Sequence, residues 1–277
     1  MSSVEPGARF RRRAFLESVA QVFPKGPGFD GLRRRLRGTY EQMLSSDSLT
    51  SVLPGGEVIR IAAQYRHVTW NAQEYEAFRA AIRPGDTVID AGANVGCYAL
   101  LFGRWVGDTG RVYAFEPDPR AFEGLTRHLA LNGLDAIVTP INAAVSHGTC
   151  EHAPFALAAS SGISRLAGSP SDAPTIAVQT TSIDDFCRQR GITPRVIKID
   201  VEGAELDVLR GARATIAQAK DLQLFVEMHS SLWPTMKISA HDLQQECAAQ
   251  NLTAERLDGV KGDAWSLEGV TVRLRHP

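Results

Sequence analysis

Residues 88–96 read Val-Ile-Asp-Ala-Gly-Ala-Asn-Val-Gly, an apolar strand that runs into glycines with a helix-forming stretch behind it. No other part of the chain narrows the choice of fold so far. Gly92 permits a tight turn, and Gly96 lets a helix approach the strand closely, so a ligand can lie against the helix N-terminus. In open α/β sheets that place lies beyond the carboxyl ends of the strands. Dinucleotide enzymes use Gly-x-Gly-x-x-Gly there, because pyrophosphate needs bare backbone. This loop has only Gly92 and Gly96, with Asn94 between them. Asp90 adds a carboxylate at the strand mouth that repels pyrophosphate but can hold an amine or an ordered water. The loop therefore favours a cofactor with a cationic amino-acid end, and disfavours an NAD-dependent oxidoreductase. Glu116 follows Gly96 by twenty residues, just past the next strand, where a carboxylate can accept from both ribose hydroxyls. The alternative role for Glu116 is to cap the helix that starts near Pro119.

Strand and helix alternate on both sides of this loop. Strands are expected at 87–91, 111–115, 136–141, 195–200 and 222–228. Helices are expected to about Trp105, from Pro119 to Gly133 (with Phe122, Leu125 and Leu129 on one face), from Ser182 to Gly191, around Leu206 and Leu209, and after Ser239. Ser182 with Asp185, and Ser239 with Asp242, have capping-box spacing. Short connections between alternating elements imply a parallel sheet with helices on both faces. Residues 145–180 interrupt the alternation and read as inserted antiparallel strands near the ligand end of the sheet, with a Ser160-Ser161-Gly162 turn that is either a lid or a plain hairpin. Stretches 252–257 and 269–274 suggest a terminal hairpin that makes the sheet mixed at one edge.

Residues 1–60 are expected to be an N-terminal helical extension, and residues 61–277 the main domain. Residues 1–37 carry eight arginines and Lys25 against Glu5, Glu17 and Asp30, a net +6 that leaves −7 for the rest of the chain. That segment reads as a solvated helix face or as a surface for an anionic partner. The formal net charge of −1 argues against dedicated nucleic-acid binding. No apolar run approaches the ~20 residues of a membrane span, and Glu17 interrupts any signal-peptide core. Cys97, Cys150, Cys187 and Cys247 are scattered, which fits a reducing cytoplasm and no zinc-type pair.

A second polar group stands at the ends of the fourth and fifth core strands. Lys198, Asp200 and Glu202 alternate there, and Glu227 and His229 repeat the spacing on the expected neighbour. Charges in an apolar sheet are costly unless they are paired or face a cleft. Asp200 or His229 can serve as a base, Glu227 or Asp200 can orient the histidine, and Lys198 can lower an acceptor pKa or bind an anionic group. The other reading is a structural ion pair of Lys198 with Glu202 or Glu227. A divalent metal is admitted but not favoured, since nothing in the spacing demands one. Tyr65, Trp70, Tyr75 and Trp233 are candidates for packing or for a pocket wall.

Through residues 84–96, 112–117 and 197–205, with Leu209, Gly211, Glu227 and His229, the chain resembles the FkbM family of S-adenosylmethionine-dependent methyltransferases. The resemblance covers roughly residues 60–230. It implies a doubly wound, Rossmann-like, seven-stranded class I methyltransferase fold, a mixed sheet whose last strand inserts antiparallel. It implies S-adenosylmethionine as cofactor and O-methylation of a small molecule, with a sugar or glycosylated natural product as the first acceptor class. Asp90, Gly92 and Gly96 then line the methionine and ribose side, with Asn94 in the same cofactor loop. Glu116 binds the ribose hydroxyls, and Asn142 lies beside the adenine or else pairs its own backbone. The catalytic set is His229, Asp200, Lys198, Glu227 and Glu202. The alternatives are an N-methyltransferase, or a non-catalytic protein that keeps the cofactor fold and docks through its basic N-terminus. A homodimer is the base-rate expectation for a soluble enzyme.

Overall fold

A strand covered on both faces needs apolar residues at nearly every position, and the stretches 87–91, 111–115 and 196–199 meet that demand. The computed structural model describes residues 48–157, 165–166, 174–219 and 221–277. Two units divide the chain, residues 1–51 with 60–67 and residues 52–59 with 68–277. Strands β1 (Ser48–Val52) and β2 (Val58–Ala62) form a two-stranded sheet. The helical extension expected over 1–60 lies outside the described residues up to 47, and from 48 onward the chain is strand rather than helix. The basic runs and the Ser160-Ser161-Gly162 turn also lie outside the described residues.

The second unit continues with α1 (Ala72–Ala81), β3 (Thr87–Ala91), α2 (Cys97–Val106), β4 (Arg111–Phe115), α3 (Pro119–Asn132) and β5 (Val138–Ile141). Next come β6 (Ala144–Val145), β7 (Cys150–Ala156), β8 (Arg165–Leu166), β9 (Thr175–Thr181) and α4 (Ile183–Arg190). The chain closes with β10 (Val196–Ile199), α5 (Glu205–Arg210), α6 (Arg213–Gln218), β11 (Gln223–His229), α7 (Ala240–Ala249), β12 (Thr253–Arg256) and β13 (Glu268–Arg275).

Seven strands form one sheet in the order β12-β13-β11-β10-β3-β4-β5. β11, β10, β3, β4 and β5 run parallel, and β13 inserts antiparallel between β11 and β12. This is the doubly wound Rossmann-like class I methyltransferase arrangement that the family resemblance implies. The order reverses direction between β3 and β10, which is where such sheets bind ligands. A four-stranded sheet, β6-β9-β7-β8, stands beside the main one with a small core of Ala144, Phe155 and Val178. Its β7 pairs antiparallel with both β8 and β9, while β6 and β9 are parallel.

Helix ends follow local chemistry. The Asn71 side chain caps α1 by accepting from Gln73 and Glu74 N–H, and Asp118 caps α3 ahead of Pro119. Gly133 and Gly191 end α3 and α4 in the left-handed conformation. Ser239 and Asp242 form a complete capping box on α7. At α4 only half of the expected box forms. Ser182 accepts from Asp185 N–H, but the Asp185 carboxylate takes Thr149 and Arg188 instead. The third core strand begins at Val138 rather than 136, because residues 134–137 close a turn in which Ile137 N–H donates to the Leu134 carbonyl at 3.0 Å.

Phe78 on α1 is fully buried, edge-on to the rings of Tyr98 (5.1 Å), Phe102 (5.4 Å) and Phe225 (4.9 Å). It ties α1 and α2 to the sheet. Phe78→Ala is expected to cost about 3–5 kcal/mol, the range for truncating a buried aromatic, read as a lower urea midpoint with unchanged slope. A midpoint within error of the parent would contradict this packing.

Candidate active site

The loop after β3 holds three residues at positive φ: Gly92 (82°), Asn94 (49°) and Gly96 (88°). A Cβ on Gly92 would overlap the Asp200 carbonyl, so only glycine fits there. Asn94 stands where a dinucleotide loop has its middle glycine, in a left-handed conformation that asparagine tolerates better than most residues. Its N–H donates to Glu116 Oε2 at 2.7 Å, and Asp118 N–H donates to Oε1 at 2.7 Å. Glu116 thus pins the exit of β4 to the glycine loop while each oxygen keeps acceptor capacity. Burial pushes its pKa up to about 7, against those two backbone hydrogen bonds. Buried His128 on α3 donates from Nδ1 to the Val95 carbonyl at 2.6 Å, which fastens the loop from behind.

A cleft opens in front of the loop, lined by Gly92, Asn94, Glu116 and Pro117 on one side and by Asp200, Val201 and Glu202 on the other. Ala144, Val145, Phe155 and Leu166 of the four-stranded sheet close a third side. Sequence reasoning missed these apolar residues. Phe155 is the one bulky apolar side chain in β7, a signal that could have been used, whereas Leu166 gives none. Asn142 is not on the cleft wall. Its Nδ2 donates to the carbonyls of Glu116 (2.8 Å) and Pro117 (3.3 Å), so it braces the exit loop rather than its own strand.

Asp90 and Lys198 are register partners on β3 and β10, so their side chains share a face. Both are buried, and Nζ lies 3.5 Å from Asp90 and 3.0 Å from Asp200. Lys198 is therefore an internal counter-ion, with its ammonium 5.5 Å from the Tyr98 ring centroid. At 5% side-chain exposure it cannot reach an anionic substrate group, the role that spacing suggested. Nor does it pair structurally with Glu202. Burial alone would lower its pKa, but the charges of Asp200, Asp90 and Glu227 outweigh that and raise it. Asp90 sits beneath the cleft, not on its wall, and burial raises its pKa against the pull of Lys198.

His229 at the end of β11 faces four carboxylates. Nδ1 donates to Glu205 Oε1 at 2.7 Å, while Nε2 lies 3.7 Å from Asp200 and 3.8 Å from both Glu202 and Glu227. Glu205 is fully buried and also accepts from Trp233 Nε1 (2.7 Å) and Gly203 N–H (2.9 Å). Its role was not legible in the sequence, since it lies on a helix among other acids. Glu202 adopts φ 51°, a left-handed conformation that costs a residue with a Cβ roughly 1–2 kcal/mol. The turn it forms turns its carboxylate toward His229. Desolvation would lower the His229 pKa, but the Glu205 hydrogen bond and the charges of Glu205, Asp200 and Glu202 push it up to about 9. Burial pushes both Glu202 and Glu227 up to about 7, helped in each case by the charge of Asp200. Asp200, Glu227 and His229 offer donor atoms within 4.8 Å of one another, a set able to hold a divalent ion without requiring one.

Three of the aromatic candidates, Tyr75, Trp70 and Trp233, are committed to partners within the protein. Buried Tyr75 donates to Glu57 at 2.6 Å and meets Trp105 edge-on; Trp70 donates to the Cys97 carbonyl at 3.2 Å. Trp233 is 2% exposed and forms no pocket wall, because its indole is committed to Glu205. Tyr65 belongs to the first unit.

The profile described as "Methyltransferase FkbM domain" matches residues 90–248. The hexuronic acid methyltransferase AglP of Haloferax volcanii is 26% identical over 187 residues, which is 65% of this chain and 74% of that protein. Among solved structures, a putative rRNA methylase from Clostridium thermocellum aligns with a TM-score of 0.46 at 12% identity, over 75% of this chain and 96% of that one. An S-adenosylmethionine-dependent O-methyltransferase from Thermotoga maritima aligns with a TM-score of 0.43 at 12% identity, over 87% of this chain and 81% of that one.

The electrostatics of the cluster fix a pH dependence. His229 rises from 6.5 to about 9, so the stability it contributes is complete below pH 6.5 and lost as pH climbs through about 9. Glu116, Glu202 and Glu227 rise from 4.5 to about 7, so what they contribute is complete below pH 4.5 and is lost as pH climbs from there through about 7. All four groups act in one direction. The melting temperature should fall between pH 6 and 9.5, and His229→Gln should flatten the part of that fall above pH 7. A melting temperature that rises over this range would contradict the assignment.

Proposed function

The chain belongs to the FkbM methyltransferase family and is an S-adenosylmethionine-dependent methyltransferase of small molecules, and we propose that its acceptor is a hydroxyl of a sugar or of a glycosylated compound. One observation carries this reading: Asp200 and Glu202 share a single cleft with Gly92, Asn94 and Glu116, which supports acid–base groups working opposite a cofactor loop. The Haloferax relative is a hexuronic acid methyltransferase, which supports a sugar-type acceptor.

The residues present fit the cofactor. Gly92 leaves room where any side chain would collide, and Glu116 offers two oriented acceptors to ribose hydroxyls. Pro117 and Phe155 supply apolar walls for the base. Bound S-adenosylmethionine would supply an electrophilic sulfonium methyl to an acceptor oxygen. The chain must hold the acceptor in line and take its proton.

His229 is a poor base near neutrality, because with a pKa of about 9 it already carries the proton. This differs from the expectation based on an unperturbed histidine. Glu202 lines the cleft and has its pKa raised to about 7, which matches the task. In this reading Glu202 takes the proton, Asp200 orients the hydroxyl, and His229 with Lys198 balances the carboxylates. The four free cysteines support a reducing cytoplasm. Among the described residues no helix is long and apolar enough to cross a membrane.

The test is transfer of radiolabelled methyl from S-adenosylmethionine to a panel of neutral glycosides, uronates and amino sugars. The product should be an alkali-stable methyl ether. Glu202→Gln should lose about 10²-fold in turnover, the usual scale for a general base, with cofactor affinity within twofold of the parent. Label found on amines or in alkali-labile esters, or full activity in Glu202→Gln, would overturn the hydroxyl reading.

A further inference from the structure

We infer that Glu205 is a positioning residue for methyl transfer: one of its carboxylate oxygens joins the turn that carries Glu202 to the imidazole of His229. The inference deepens the reading above and rests on it for the role of Glu202. Glu205 opens α5, is fully buried and is not on the cleft wall, so it acts through other groups.

Oε1 accepts from Gly203 N–H at 2.9 Å and from His229 Nδ1 at 2.7 Å. Oε2 accepts from Trp233 Nε1 at 2.7 Å. Three segments thus meet on one side chain: the turn after β10, the end of β11, and the 3-10 turn Trp233–Met236. Among side chains of this length, only a carboxylate accepts on both oxygens. A glutamine in its place would set its NH2 group against at least one of the donors.

The turn needs such a tie. Glu202 and Gly203 are both at positive φ, 51° and 98°, where neither a strand nor a right-handed helix continues. The Gly203 N–H therefore has to find its acceptor outside regular structure. Ala204, at the N-cap of α5, makes no side-chain cap bond. Glu205 reaches back two residues and supplies the acceptor. That bond fixes the backbone that carries Glu202, which lines the cleft. The bond to Nδ1 sets the imidazole plane, and so the approach of Nε2 to Glu202 Oε2 at 3.8 Å. One buried acid therefore governs both members of the pair. A displacement of about 1 Å at a reacting group can cost ~10²-fold in rate.

The test uses full-length protein, S-adenosylmethionine and the sugar that labels best in the panel above. Glu205→Gln should lower kcat about tenfold or more, with acceptor KM and cofactor affinity within about twofold of the parent. In a Glu202→Gln background the same change should cost less than about threefold further, because the group it positions is already gone. Glu205→Ala gives a readout that needs no acceptor. Amide exchange at Gly203 should quicken about tenfold or more, while β3 and β4 keep the protection of the parent. Unchanged kcat in Glu205→Gln overturns the inference. So does a loss that multiplies in full with that of Glu202→Gln, or protection lost throughout the sheet in Glu205→Ala, which would mark a residue that only holds the fold. Each of these leaves the functional reading standing. Full turnover in Glu202→Gln refutes the functional reading instead, as does a panel in which no sugar is labelled, and the exchange at Gly203 then still decides whether Glu205 holds the turn.

Discussion

Gly92 lies so close to the Asp200 carbonyl that no side chain fits between them. The contact follows from register. β3 and β10 are parallel neighbours with Ala91 opposite Ile199, and Asp200 N–H extends the ladder by donating to the Ala91 carbonyl at 2.9 Å. The two chains leave the sheet at the same level and must pass one another. Because the strand order reverses here, the helices that follow lie on opposite sides and a crevice opens between the loops. One loop carries Gly92 and Asn94 and the other carries Asp200 and Glu202. A single close approach of backbone thus sets the distance across the cleft.

The buried charges beneath this crevice are expensive. A fully buried Asp90 opposite a buried Lys198 is weak evidence for stability, since desolvation offsets most of the attraction. Their effect is on direction: Lys198 spans Asp90 and Asp200 and fixes where Asp200 points. Glu205 does the same for His229 from the other side. Asp200 and His229 are therefore held by buried partners. Glu74 extends the buried network, accepting from Tyr98 and from Thr271, the register partner of Glu227. Removing any one of these inner partners would leave a buried charge or donor uncompensated.

Much of the fold was legible because fully apolar strands, glycine turns and capping residues act locally. The strand 87–91, the loop to Gly96, the helix ended by Gly133 and the capping box at Ser239 follow from neighbouring residues alone. Convergence of Lys198, Asp200, Glu202, Glu227 and His229 was also legible, because alternation at adjacent strand ends puts them together. Their division of labour was not. Whether Lys198 faces substrate or Asp90 depends on burial and on the register of β3 with β10, neither of which one strand reveals. The charge state of His229 depends on Glu205, twenty-four residues away and on another element. Phe155 and Leu166 reach the cleft only through the fold of a separate small sheet.

We propose that Gly92, Asn94 and Glu116 build a site for S-adenosylmethionine and not for a dinucleotide. Calorimetric titration of the full chain with S-adenosylmethionine, S-adenosylhomocysteine and NAD in parallel separates the two. Saturable one-to-one binding of the first two is expected, weakened by tenfold or more in Glu116→Ala, with no saturable binding of NAD. Saturable binding of NAD with none of the two sulfur nucleosides would contradict it.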